Sequence, residues 1–322
     1  MNNNAIYFPY INVPPTKFLV ETLVYWDKLS SIVPYEFTVE PKKLSRKMQD
    51  LTSAGLVEQL LPSEYFSKLD NFEKEFLYIA KRWQEENKHL TFDYSRVHIE
   101  KLGSLYHTLV ELDIARAKAY PWVEMPIPLA NIFMSILATK LGNLDEINAT
   151  AVTDLNTTPE KTISTIREDI LNHILPIPKG KVSIDSLLKF KNDFGHLTQN
   201  FRNKIEEECI DIISMDESLR AEKISMTKKR LQDEIDEIED AMRPFWKNIS
   251  FGSLMPLIGT GLMTYATDFT TQPVPVTIGT GISAISSIYQ GLSSIKKQEE
   301  IKQKPMAYAT LTKKNLYDAF VD

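Results

Sequence analysis

The sequence predicts a mainly α-helical protein with a smaller α/β domain at its N-terminus, and three observations support this prediction. Short aromatic and β-branched runs alternate with helical patterns up to about residue 158, which favours βαβ units and a partly parallel sheet. Apolar residues then recur at spacings of three and four through residues 183–245, the period of amphipathic helices. A glycine-rich, nearly uncharged stretch follows at residues 249–295. The predicted domains are an α/β domain (1–175), a long helical hairpin (181–247) and an apolar helical hairpin with a charged tail (248–322).

The N-terminal domain is expected to contain extended runs that alternate with helices. The expected extended runs are residues 6–11, 56–61, 96–100 and 149–154. The expected helices are residues 14–33, 43–54, 63–88, 104–119, 126–142 and 158–175. Gly55 should end the second of these helices, because glycine adopts the left-handed conformation at a helix end without strain.

The second region is expected to begin after the proline-rich linker at residues 175–180. Ser183 should cap a long helix, and a break is expected near residues 214–216. A second amphipathic helix follows, so the pair predicts an antiparallel coiled-coil hairpin. Lys228 interrupts its apolar seam. The alternative is a long helix that packs on the first domain.

The third region has the most unusual composition. Between Ile249 and Ile295 the only formal charge is Asp268, and the sequence Ile-Gly-Thr-Gly occurs twice. Two uncharged arms of roughly 17 and 20 residues, joined by a proline-rich turn, predict a helical hairpin. Small residues would allow the two helices to pack closely. The expected packing positions are Gly259, Gly261, Gly279 and Gly281. Such a hairpin either docks on a protein partner or second subunit, or inserts into a membrane.

Composition narrows the functional classes. The chain has 322 residues, a net charge of −6 and a pI near 5.6, so a general attraction to nucleic acid is not indicated. Cys209 is the only cysteine, which excludes an internal disulfide and a cysteine-based zinc cluster. Without an export signal in the given sequence, a cytoplasmic location is expected, with membrane association on activation. We expect no cofactor and no bound metal.

Candidate catalytic residues are few. Arg167 and His173 form an RxxxxxH pattern in a predicted helix, which resembles the loose RNase motif of HEPN-type toxins. There the arginine would hold the scissile phosphate and the histidine would transfer a proton. His98 and Glu100 are a second candidate pair, because their side chains would share one face of a strand. The acidic run at residues 206–208 is expected to form a solvated helix face.

Several motifs together resemble an uncharacterised bacterial family of unknown function. They are residues 6–11 (IYFPYI), 98–103 (HIEKLG) and 174–178 (ILPIP), together with the helical pairs Phe190-Lys191 and Phe201-Arg202. Similar proteins often have an arginine where this chain has Lys191, which leaves any role of that arginine in doubt. The resemblance implies an association with bacterial defence against phage. It implies no active site.

The sequence therefore favours a non-enzymatic interaction or effector protein. Its N-terminal domain would recognise a signal, and its apolar hairpin would dock on a partner, a second subunit or a membrane. Self-association or a protein partner is expected. The alternative is an RNase or nuclease toxin that uses Arg167 and His173.

Overall fold

A computed structural model of the chain describes residues 3–155, 162–175, 182–246 and 300–317. It confirms a mainly α-helical chain with a smaller α/β part. The strands are β1 (Asn4–Tyr7), β2 (Lys28–Ile32), β3 (Val57–Leu60), β4 (Tyr94–His98), β5 (Arg116–Ala117), β6 (Trp122–Pro126) and β7 (Ala149–Val152). The helices are α1 (Lys17–Tyr25), α2 (Tyr35–Val39), α3 (Arg46–Ser53), α4 (Phe72–Asn87), α5 (Ile99–Leu102), α6 (Leu105–Glu111), α7 (Ile127–Gly142), α8 (Ile163–Ile174), α9 (Ile184–Phe194), α10 (Thr198–Ser214), α11 (Glu217–Trp246) and α12 (Ala307–Thr312).

The first sheet is fully parallel and confirms the predicted βαβ character. Its strand order is β3-β2-β1-β7, and Ala5 in β1 lies opposite Leu29 in β2 and Thr150 in β7. Strands β2 and β3 follow β1 on one side, whereas β7 pairs with its other side. The strand order therefore reverses at β1, which is the usual ligand-binding position in open α/β sheets.

The predicted first helix, residues 14–33, is wrong in its second half. Helix α1 ends at Tyr25, and the following residues form β2 between β1 and β3. Leu29, Ser31 and Ile32 are all buried in this strand. Its two apolar residues, Leu29 and Ile32, are three positions apart, and this spacing continues the helical pattern of α1.

The predicted helices at residues 63–88 and 104–119 are also too long. The first begins with two 3₁₀ turns, Pro62–Glu64 and Phe66–Lys68, before α4 starts at Phe72. The second stops at Glu111 and is followed by β5. Strands β5 and β6 form a second, antiparallel sheet of order β4-β6-β5 that the sequence pattern did not indicate.

The local signals at two helix ends are confirmed. Gly55 follows α3 with φ of +69°, the left-handed conformation expected there. The Ser183 hydroxyl accepts a hydrogen bond from the backbone N–H of Ser186 at 3.0 Å, as expected of a helix N-cap. Both signals depend only on neighbouring residues, which explains why the sequence predicts them.

Helix α7 organises the core of the α/β part. Phe133 packs against Phe72 and Phe76 of α4, with ring centroids 5.8 and 4.9 Å apart. At the end of α7, Gly142 approaches β7 so closely that an added Cβ would lie 2.2 Å from the carbonyl oxygen of Ala149. A side chain at position 142 is therefore incompatible with this contact.

The chain forms two compact units. The first takes its described residues from the stretches Met1–Thr165, Ile177–Gln199 and Leu316–Asp322, and the second from Ile166–Pro176 and Asn200–Asn315. Helix α9 thus belongs to the first unit, although the sequence pattern groups it with the hairpin that follows. Lys191 of α9 shows one reason, since its Nζ donates to the carbonyl oxygens of Leu23 and Trp26, each at 2.8 Å. These carbonyls lie at the C-terminal end of α1, where cations are favourable.

The long helices of the second unit are separated by the expected break. Helix α10 ends at Ser214, and α11 begins at Glu217. Lys228 does not interrupt the buried stripe of α11, because Thr227 takes the buried position instead. The buried stripe consists of Ile224, Thr227, Leu231, Ile235, Ile238 and Met242.

Candidate functional site

Arg167 lies on the buried side of α8 in the second unit. Its guanidinium donates from Nη2 to Oε2 of Glu206 at 2.8 Å and from Nε to Oε1 of the same carboxylate. Glu206 is on α10, and both residues are buried. A bidentate pair of this kind is among the strongest charged contacts in proteins. The guanidinium of Arg167 is therefore engaged in a structural ion pair with Glu206.

His173 is exposed on the same helix. A separation of six residues turns a helix by about 600°, so the two positions are roughly 120° apart. The structure accordingly does not bring Arg167 and His173 onto one face. Their joint action as an RNase pair has no geometric support here, and the RNase hypothesis stays a prediction.

The acidic run of α10 is not a solvated face, as the sequence pattern suggested. Glu207 is exposed, whereas Glu206 and Glu208 are both buried. Glu208 accepts from Arg230 of α11 at 2.6 Å and from Lys204 at 3.2 Å. Burial alone would raise the pKa of Glu208, but the hydrogen bonds from these two cations outweigh it and lower the pKa below its ordinary value. Arg230 comes from another helix, so a pattern within α10 does not reveal it, whereas Lys204 lies one turn earlier on α10 itself.

A third ion pair completes a set that links three helices of the second unit. Lys228 of α11 pairs with Asp169 of α8. Thus α8 is bridged to α10, α10 to α11, and α8 to α11, each by one acid and one base. We call Arg167–Glu206, Glu208–Arg230 and Asp169–Lys228 the charged triangle.

Cys209 lies beside the charged triangle on α10 and is completely buried. Burial raises the pKa of its thiol to about 12, and the nearby Glu206 acts in the same direction. A thiolate is the nucleophile and metal-binding form of cysteine. Cys209 therefore acts as a small apolar side chain in this position.

Helix α12 packs against α11. Lys313 forms an ion pair with Glu239 at 2.9 Å, and Tyr308 contacts Phe201 with ring centroids 5.4 Å apart. A small apolar cleft lies beside α11 and α12. Its lining residues come from both sides of the segment 247–299, which lies outside the described residues. These include Met242 before it and Ile301 after it. The chain thus leaves the described part at residue 246 and returns at residue 300 beside the same helix. We call the Glu239–Lys313 ion pair, together with the cleft residues Met242 and Ile301, the anchor.

The predicted packing glycines of the apolar hairpin, Gly259, Gly261, Gly279 and Gly281, all lie outside the described residues. Among the described helices, none is long and apolar enough to cross a membrane. No group of three or more potential metal ligands occurs within residues 3–155, 162–175, 182–246 and 300–317.

A second polar cluster lies in the first unit, at the end of β4. His98 is the last residue of β4 and caps α5, and its Nδ1 accepts from the backbone N–H of Glu100 at 3.2 Å. The two residues therefore do not share one face of a strand, as the sequence suggested, because the strand ends between them. Glu100 accepts from the Tyr35 backbone N–H and the Ser63 hydroxyl, each at 2.8 Å. These bonds tie α2, which follows β2, and the 3₁₀ turn after β3 to α5.

The other ring nitrogen of His98 is buried and lies 3.4 Å from a carboxylate oxygen of Glu36. Burial lowers the pKa of His98, although the Glu36 carboxylate opposes this effect. The ring also makes an edge contact with Trp122 at 5.1 Å. The imidazole is therefore held neutral and fixed at ordinary pH, which suits a structural cap.

Lys101, on the next turn, is also buried. Burial lowers its pKa to about 7, because a charged ammonium is poorly stabilised away from water. No pattern in the sequence marks this lysine as buried, since it stands beside a glutamate in a short segment of mixed polarity. Its burial depends on how α5 docks, which is a tertiary feature.

Where the order of the parallel strands reverses, a tyrosine and an aspartate meet. The hydroxyl of buried Tyr7, at the end of β1, donates to Asp154, just after β7, at 2.9 Å. Burial and this hydrogen bond raise the pKa of Tyr7. The phenol therefore stays protonated and acts as a hydrogen-bond donor.

Comparisons with protein-family models, with curated proteins and with solved structures found no match for this chain. The bacterial family suggested by the sequence motifs thus remains a resemblance.

Proposed function

We propose that the chain is a non-enzymatic interaction protein whose apolar segment, residues 248–299, docks on a protein partner, a second subunit or a membrane. The observation that carries this proposal is the anchor. Glu239 and Met242 on one side of the segment lie against Lys313 and Ile301 on the other. The two described flanks of the segment therefore meet on the surface of α11.

The anchor matters because closing a long loop costs conformational entropy, which grows with loop length. Contacts that hold the ends together offset this cost before the segment meets any partner. The segment has only one formal charge between Ile249 and Ile295, so it would expose much apolar surface if it were left in water. Large apolar patches usually mark interaction sites.

The charged triangle supports the same role. It ties α8 and α10 to α11, the helix that carries one side of the anchor. A displacement of α11 by the apolar segment would therefore act on α8 and α10 through these ion pairs. A part in bacterial antiphage defence follows only from the family resemblance and is included in the proposal on that basis.

The decisive experiment replaces residues 250–296 by a short Gly/Ser linker. Because the flanks are held by the anchor, we expect this variant to fold with an unchanged helical circular dichroism spectrum. It should lose whatever self-association, partner binding or liposome binding the full chain shows by light scattering and flotation. A full chain that is monomeric, binds no liposomes and matches the linker variant in every assay would contradict the proposal.

Two point variants refine this test. Gly259→Leu and Gly281→Leu add bulk at positions where close helix packing is expected, and each should change the oligomeric mass or the extent of liposome binding. Gly195→Ala is the matched control, since an added Cβ there meets nothing within 4 Å.

The RNase alternative has its own test. Purified chain is incubated with labelled RNA and DNA, with His173→Ala as the main comparison because His173 is exposed and its replacement should not disturb folding. Cleavage that disappears in His173→Ala would favour the RNase alternative over the interaction proposal.

A further inference from the structure

The antiparallel sheet has two different faces. Across the β4–β6 pair, Arg96 lies opposite Glu124 and His98 opposite Trp122, while Arg116 of β5 lies opposite Glu124 from the other side. Since side chains alternate along a strand, these residues share one face. The opposite face carries Val97, Val123 and Met125, which are buried in the core.

The first face combines aromatic rings with basic groups. The guanidinium of Arg116 lies over the Tyr94 ring, 4.2 Å from its centroid. Tyr120, in the turn between β5 and β6, is 86% exposed. We define the aromatic–basic face by its six residues: Tyr94, Arg96, Arg116, Lys118, Tyr120 and Trp122.

The charge on this face is unbalanced. Its acidic residue, Glu124, pairs with Lys118 at 3.3 Å. Arg96 and Arg116 are exposed, and neither forms an ion pair with any acidic group in the described part of the chain. Three basic residues thus share the face with one carboxylate, and two exposed guanidinium groups lie beside exposed aromatic rings in a chain whose net charge is −6.

We propose that the aromatic–basic face binds single-stranded nucleic acid. Proteins that bind single strands combine aromatic side chains, on which bases stack, with basic groups that follow the phosphates. A sheet face with exposed aromatic residues is a common platform for unpaired RNA bases. Here Tyr94 and Tyr120 offer the rings, while Arg96 and Arg116 offer donors for phosphate oxygens.

A single strand fits better than a duplex or a peptide. Bases in a duplex are stacked on each other and cannot reach a flat sheet face, whereas unpaired bases can. A peptide that extended the sheet would pair with the backbone groups of an edge strand, β4 or β5, and would not use the aromatic and basic side chains that stand out from this face. The proposal is independent of the apolar segment and goes beyond the interaction role proposed above.

No pattern within a single segment of the sequence indicates this face. Its basic residues are spread over positions 96–118, and only the strand register places them together. This explains why the net charge and pI of the chain did not indicate nucleic-acid binding.

The test measures fluorescence anisotropy of the full chain with labelled 12-nucleotide U-tract RNA, the matching T-tract DNA and a duplex of the same length. We expect saturable binding of a single strand at 50 mM NaCl that weakens at 200 mM. RNA and DNA tracts separate recognition of the 2′-hydroxyl from recognition of bases and phosphates alone.

Variants then assign the binding to this face. Tyr120→Ala removes a fully accessible ring and should weaken binding by roughly 5- to 150-fold without changing the salt dependence. Arg96→Ala and Arg116→Ala should each lower the slope of log affinity against log salt by about 0.7. Tyr78→Ala and Arg46→Ala are matched controls, since both residues are exposed elsewhere on the same unit, and they should leave the affinity unchanged.

Several results would overturn the proposal. These are an absence of saturable single-strand binding at 50 mM NaCl, tighter binding of the duplex, and equal loss in the face variants and the controls. Binding of a peptide library but not of either single strand would instead assign the face to a protein partner, and would equally reject it as a nucleic-acid site.

Discussion

Arg167 on α8 and Glu206 on α10 form a bidentate ion pair in which neither side chain is more than 11% exposed. Two charges removed from water in this way depend on each other. The loss of one leaves the other buried without compensation, and such a loss commonly costs more than the pair itself contributes.

We therefore expect Arg167→Ala to lower the free energy of unfolding by about 3–5 kcal/mol, measured by urea denaturation. Arg82→Ala is the control, because Arg82 forms an exposed ion pair with Glu86 and its loss should cost less than about 1 kcal/mol. The double variant Arg167→Met with Glu206→Leu should recover part of the lost stability. Equal effects of Arg167→Ala and Arg82→Ala would show that the buried pair is not structural.

Lys101 predicts a pH dependence of a particular sign. Its pKa is about 7 in the folded chain and 10.5 in the unfolded chain, so the unfolded state binds the additional proton between these values. Stability from this group therefore rises with pH from about 7 to about 10.5 and is lowest below pH 7. The expected slope approaches about 1.4 kcal/mol per pH unit.

Lys101→Met isolates this contribution. The variant should be more stable than the natural chain at pH 6, and the difference should shrink steadily as the pH is raised to 10. Urea denaturation at four pH values, with the exposed Lys81→Met as the control, measures the effect. A stability difference that does not change with pH would mean that Lys101 keeps an ordinary pKa.

Cys209 should react slowly with thiol reagents in the native chain. With a pKa of about 12, only about one thiol in 10,000 is ionised at pH 8, and the side chain is fully buried. Ellman's reagent at pH 8 should therefore react slowly with the native chain and fully in 6 M guanidinium chloride. Ser218→Cys adds an exposed thiol on α11 and should react at once. Rapid labelling of native Cys209 would show that α10 opens easily.

The sequence predicts what neighbouring residues decide. Gly55 ends α3, Ser183 caps α9, and the break after Ser214 separates α10 from α11. Each of these features depends on residues within about one helical turn of it. The alternation of strands and helices likewise predicts the parallel sheet, because each crossover needs a helix.

The sequence does not reveal what a distant partner decides. Strand β2 exists because β1 and β3 flank it, and without those partners its residues continue the helical spacing of α1. Glu206 is buried because Arg167 lies 39 positions away in the chain yet adjacent in space. The aromatic–basic face depends on strand register in the same way. Such features require the pairing of elements, which a pattern within one segment does not contain.

The contact between Gly142 and Ala149 gives the most direct test of the α/β packing. A Cβ at position 142 would lie 2.2 Å from the carbonyl oxygen of Ala149, and a backbone atom in a paired strand cannot move aside as a flexible side chain can. Gly142→Ala should therefore lower the free energy of unfolding by about 1–3 kcal/mol or more, measured by urea denaturation, although alanine normally favours a helix.

Gly195→Ala is the matched control for this substitution. Its added Cβ meets no atom within 4 Å, so the smaller entropy of the unfolded chain should leave it neutral or stabilise it by up to about 1 kcal/mol. The two variants make the same chemical change, and only the space around the new methyl group differs. If Gly142→Ala were as stable as Gly195→Ala, α7 could not pack against β7 as closely as the backbone positions require.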